Sequence, residues 1–195
     1  ADAKPREDHV DLTRVAPEPR PLVPKFRVPG EPPIVRFVGS GLFRLLPGRP
    51  VPKVPLEHHA DSGRGLCLFI PDVRTRDGAL LWIHGGELIF GHPTIDDRFG
   101  AENARNLGIV VAWVRYRLAP AHPYPLAIDD CHDAWMWPLR NTNTFDIDPA
   151  RIAIGGQGAG GGHAAAHVQR ACDGSTPYPF ARWLLCPVVD EGRAA

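Results

Sequence analysis

The chain has 195 residues, 44% of them hydrophobic and 23% charged, with 22 Lys+Arg against 22 Asp+Glu. That length and composition suit one globular domain with a real core, and the zero formal net charge excludes an electrostatic footprint for nucleic acid or an anionic membrane. No run of about 18 apolar residues is present, so no transmembrane helix is predicted. The charged start ADAKPREDHV has no apolar run behind it, and a cytoplasmic protein without membrane or nucleic-acid partners is expected.

Twelve of the 22 prolines precede residue 61. Proline fixes φ and removes a backbone donor, so residues 1–60 are expected to form an irregular arm or cap without long helices or central strands. Its short apolar patches IVRFV (34–38) and GLFRLL (41–46) are expected to dock on the body, residues 61–195. His58 and His59 read as loop residues. From residue 66 the pattern changes. LCLFI (66–70) and ALLWI (79–83) predict strands, and DRFGAENARNL (97–107) predicts a helix closed by Gly108 in the left-handed conformation. IVVAWV (109–114) predicts a strand. LAIDDCHDAWMWPLR (126–140) predicts a helix that Pro138 ends or kinks, with only one of Trp135 and Trp137 facing inward. RIAIGG (151–156) predicts a strand, AGGGHAAAHVQRAC (159–172) a helix, and WLLCPVV (183–189) a last strand. The strands are apolar throughout and alternate with helices. That pattern predicts an α/β fold in three layers, with a mostly parallel sheet covered on both faces.

Cys67, Cys131, Cys172 and Cys186 form no CxxC pair and read as reduced core cysteines. Asp129 and Asp130 lie near a helix N-terminus, where the macrodipole favours carboxylates. His163 and His167 are four apart on one helix, but no third ligand stands near them in sequence, so no metal and no cofactor are predicted.

The stretch RIAIGGQGAGGGHAAAH joins a strand to a helix through a glycine-rich turn. Gly156, Gly158 and Gly161 match a dinucleotide-binding GxGxxG in spacing, but the strand is the fourth or fifth of the domain instead of the first, and the candidates for the acidic residue expected about 20 positions on fit poorly. No Lys-Ser/Thr pair follows the glycines as a phosphate loop requires. The other reading is a nucleophile elbow, G-x-S-x-G, with Gly158 at the serine position of Gly156-Gln157-Gly158-Ala159-Gly160.

Two further motifs favour the elbow. Ile83-His84-Gly85-Gly86-Glu87 follows the strand ALLWI. Tyr116-Arg117-Leu118-Ala119-Pro120-Ala121-His122-Pro123-Tyr124-Pro125 precedes Asp129-Asp130, and Asp148-Pro149-Ala150-Arg151 leads into the turn. Together they resemble the HGGG, YRLAPEHPYP…DD and GDSAGG motifs of the hormone-sensitive-lipase-like esterases, over about residues 66–190. The resemblance implies an α/β-hydrolase sheet, a carboxylic-ester substrate and an oxyanion hole from the amides of Gly85, Gly86, Glu87 and Ala159, with His84 holding that loop by hydrogen bonding.

Three departures bear on activity. Gly158 has no hydroxyl, so no acyl-enzyme can form there. Glu87 replaces a glycine of the family and puts a carboxylate near the place where negative charge would develop. No histidine follows His167, and Asp190 matches a family residue other than the triad acid, so the acid and base that the family carries after the nucleophile are missing from 1–195. The sequence therefore predicts a C-terminally truncated, catalytically impaired esterase-lineage protein, with 183–189 left as an exposed apolar edge open to self-association. The alternatives are a receptor-like binder of a small ester or carboxylate in the old pocket, or a relic.

Overall fold

Strands that are apolar on every residue need cover on both faces, and the sheet supplies it. The computed structural model describes residues 54, 56–61, 64–89, 91–92, 96–174 and 176–189, with the backbone alone for 56–61 and 64. Among the described residues six strands stand in the order β1-β2-β4-β3-β5-β6. They are β1 Leu56–Asp61, β2 Arg64–Phe69, β3 Ala79–Ile83, β4 Val110–Arg115, β5 Ile152–Gln157 and β6 Arg182–Leu185. β1 and β2 run antiparallel to their neighbours, and β4, β3, β5 and β6 are mutually parallel. The helices are α1 Asp97–Leu107, α2 Leu126–Arg140 and α3 Ala159–Asp173.

Alternate residues of each strand serve opposite layers. Leu80, Trp82, Val111 and Trp113 pack with Ala101 and Ala104 of α1. Leu81, Ile83, Ala112 and Val114 pack with Cys131 and Trp135 of α2 and Ala164 and Val168 of α3. The topology explains the split. The chain leaves β3 toward β4 through α1, then returns past β3 to β5 through α2, and right-handed crossovers in opposite directions put their helices on opposite faces. The reversal lies between β3 and β5. In open sheets of this kind, ligands bind beyond the carboxyl ends of the strands at that point.

The boundaries of β3, α1 and α2 agree with the sequence reading. Gly108 closes α1 at φ 64°, its N–H donating to Ala104 O at 2.9 Å. Pro138 lies in the last turn of α2, which ends two residues later. Trp135 is buried and Trp137 only partly so.

Three expectations are corrected here. His58 and His59 belong to β1, opposite Cys67 and Leu66, so the sheet starts before residue 60. β6 is four residues long instead of seven, because Cys186 takes a left-handed φ of 44° and Pro187 has no N–H for a ladder. The chain then turns back onto α3, where Val188 N–H donates to Gly158 O at 3.0 Å. Only Cys67 and Cys131 are core cysteines; Cys172 and Cys186 are exposed thiols. His163 and His167 of α3 are both buried. Trp183 and Leu185 of β6 are each more than a third exposed. No helix among the described residues is long and apolar enough to cross a membrane. Residues 1–53, with the two apolar patches, lie outside the described residues.

Candidate functional site

The carboxyl ends of β3 and β5 are adjacent, with Ile83 opposite Gly156. β5 runs into α3 through one residue, Gly158, at φ 54° and ψ −121°. That conformation suits glycine far better than any residue with a Cβ. A Cβ there would meet nothing within 4 Å among the described residues, so the position faces open space. Around it the backbone is closely packed. A Cβ on Gly160 would lie 2.2 Å from Ile83 O and 2.4 Å from His84 O. The glycines after the turn thus let the first turn of α3 lie against the end of β3, and packing accounts for the run without a phosphate. Gly158 N–H donates to Leu185 O at 2.9 Å, fixing the turn to the end of β6.

Beside the turn runs the loop that follows β3. Gly85 abuts Gln157, where an added Cβ would come within 3.0 Å of the Gln157 carbonyl. Gly86, Glu87 and Leu88 all have positive φ, at 127°, 49° and 66°, and Ile89 N–H donates to Gly86 O at 3.1 Å. Two successive non-glycine residues in the left-handed region carry strain, on the order of 1–3 kcal/mol each. The Glu87 side chain is exposed.

His84 takes the expected hydrogen-bonding role. It is buried, and its Nδ1 lies 2.7 Å from Gly85 O. A carbonyl only accepts, so Nδ1 carries the proton. Burial holds the imidazole pKa down at about 4, so the ring is neutral at pH 7. His84 stacks on Tyr116 with centroids 4.4 Å apart, and the Tyr116 hydroxyl donates to His84 O at 2.9 Å. His163 meets the Tyr116 ring edge-on at 5.4 Å. Gly158, Gly85, Gly86, Glu87, Ala159 and His84 therefore gather at one end of the sheet.

One residue near the site was not singled out from sequence, and another was read differently. Asp96 accepts from Gln157 Nε2 at 3.2 Å, and burial raises its carboxyl pKa. No local pattern links residues 61 positions apart. Asp130 is the second, and it corrects the macrodipole reading. It is buried and accepts from Arg117 Nε at 2.9 Å, Arg117 Nη2 at 2.7 Å and Arg117 N–H at 2.9 Å. Asp129 points elsewhere, to Arg170 Nη1 at 3.1 Å. No group of three or more His, Cys, Asp or Glu side chains able to hold a metal occurs among the described residues.

A sequence profile of the α/β-hydrolase fold matches residues 80–195. The chain belongs to the hormone-sensitive-lipase-like α/β-hydrolases. It is 34% identical over 144 residues to an AB hydrolase superfamily protein of Schizosaccharomyces pombe, covering 71% of this chain and 42% of that one. It is 33% identical over 150 residues to carboxylic ester hydrolase LipN of Mycobacterium tuberculosis, covering 74% and 37%. A solved bacterial heroin esterase superposes with a TM-score of 0.73 at 34% identity, over 82% of this chain and 53% of that one. The chain therefore spans less than half the length of these two sequence relatives. Within this α/β-hydrolase the carboxylesterase lineage is established, and Gly158 stands at the elbow of the fold.

The elbow geometry sets an expectation for Gly158→Ser. The side chain has room, but φ of 54° with ψ of −121° is strained for a residue with a Cβ. The substitution is expected to cost about 1–3 kcal/mol, lowering Tm by roughly 2–10 °C while the melt stays cooperative. Circular dichroism melts check this. An unchanged or higher Tm would mean that residue 158 does not hold the elbow conformation.

Proposed function

We propose that this chain is a member of the carboxylesterase lineage that does not hydrolyse esters. Gly158 carries that reading. The elbow residue of an acyl-transfer site must present a hydroxyl or thiol to the carbonyl carbon, and glycine presents neither. The reading does not depend on where the acid and base of a triad are carried, because any base there would have no hydroxyl to activate. Loss of a triad member removes several orders of magnitude of rate. The Glu87 carboxylate beside the loop acts in the same direction, since an oxyanion is stabilised by donors and positive potential.

The test is hydrolysis of p-nitrophenyl butyrate by purified protein against a buffer blank. No turnover above the blank is expected. Turnover that survives repurification would overturn the reading and direct attention to His84, His122 and His163.

A second reading is binding without cleavage. The side-chain-free space at Gly158 favours it, next to the Gly86 and Ala159 amides that would suit a small carboxylate or ester. A saturable rise in Tm with butyrate, absent with butanol, is the expected sign of such a site. Absence of any shift across short carboxylates and esters would leave the non-hydrolysing protein without a pocket ligand of this class.

A further inference from the structure

We propose that Tyr116 is the positioning residue of the elbow pocket, fixing the loop His84–Ile89 against helix α3 through its hydroxyl and its ring. This rests on the reading of the elbow as a ligand pocket. The loop cannot hold its own shape well, because Glu87 and Leu88 sit in the left-handed region and the Ile89-to-Gly86 hydrogen bond spans only one turn. The restraint comes from outside, from Tyr116 to Ala119.

The carbonyl of His84 is the junction. The Tyr116 hydroxyl donates to it at 2.9 Å. The backbone of α3 approaches the same carbonyl so closely that Gly160 has no room for a methyl group. The Tyr116 ring lies flat against the His84 imidazole, 4.4 Å away and 17° from parallel, and meets His163 of α3 edge-on. One side chain therefore touches both the loop and α3. Ala119 N–H adds a second tie, donating to Leu88 O at 3.0 Å. The segment is itself anchored, since Asp130 accepts from the Arg117 N–H and from its guanidinium. Tyr116 is buried, so a ring without the hydroxyl would leave the His84 carbonyl short of a donor that water cannot readily replace.

Tyr116→Phe separates the hydroxyl from the ring and keeps its volume, so the fold is retained. Hydrogen exchange on the full chain is read at the amides of Ile89 and Ala119. Both are expected to exchange roughly three- to tenfold faster in the variant, while the amides of β3 and β5 stay as protected as in the wild type. The dissociation constant for butyrate is expected to rise by a similar factor. Unchanged protection of Ile89 and Ala119 in a folded Tyr116→Phe protein would overturn the proposal. If the wild type binds no butyrate, the pocket reading fails by itself, and the exchange data still decide what Tyr116 does to the loop.

Discussion

Asp130→Ala is expected to lower Tm by on the order of 10 °C or more, whereas Asp129→Ala, one residue away, is expected to shift it by no more than about 2–3 °C. The two carboxylates differ in environment. The Asp130 side chain is 1% exposed and accepts three hydrogen bonds from Arg117, two of them from the guanidinium in a fork. Its removal strands the Arg117 N–H and leaves a mostly covered guanidinium without its counter-charge. The 116–119 segment then loses its anchor on α2. Asp129 and Arg170 are each about half exposed, with side-chain accessibilities of 45% and 51%. Water and salt screen that pair and solvate each partner once the other is gone. Thermal melts of the two variants side by side make the comparison. Equal, small losses would mean that Asp130 acts only as a charge near a helix end, as the sequence alone suggests.

That contrast shows where sequence reasoning stops. Both aspartates lie within the first five residues of α2, and a macrodipole argument treats them alike. Only the fold reveals that Arg117 reaches one of them. The order of elements was legible because each strand is a continuous apolar run and each helix has a marked end, such as Gly108 after α1. β1 was missed because LEHHAD carries almost no apolar pattern. It is a sheet-edge strand, held to β2 by a ladder whose backbone partners are independent of side-chain type. The length of β6 was overread because WLLCPVV is apolar throughout, while the left-handed Cys186 bends the chain back onto α3. The three site motifs, at 84–87, 116–125 and 156–160, were legible as spacings, and the sheet brings the first and last together at the carboxyl ends of β3 and β5. The Asp96–Gln157 contact was not, since its partners meet only through tertiary packing.

The histidines buried around α3 make the protein acid-sensitive. His167 is 1% exposed, lies against His132 and Trp135, and neither ring nitrogen has a hydrogen-bond partner among the described residues. Burial, with His132 and Arg170 adding to it, holds its pKa down at about 4, and burial, with His92 and His163 adding to it, does much the same to His84. His163 is lowered by burial. In the unfolded chain these rings protonate near 6.5. Below that pH the unfolded state binds protons that the native state refuses, so stability falls between about pH 6.5 and pH 4 and levels off once the native rings charge. For His84 the span amounts to about 3 kcal/mol. Asp96 works the other way, because a carboxyl with a raised native pKa stabilises the fold as pH drops, but it is one group against three. The urea midpoint is therefore expected to fall steadily from pH 7 to pH 4.5 at a constant m-value. His167→Leu removes the ring that has no hydrogen bonds while keeping an apolar volume between α2 and α3. Its midpoint is expected to rise at pH 7, because two buried nitrogens no longer lack partners, and its slope against pH is expected to flatten. A variant that is less stable at pH 7 and keeps the full acid dependence would show that His167 is engaged in the native state and that the acid sensitivity resides in His84 and His163.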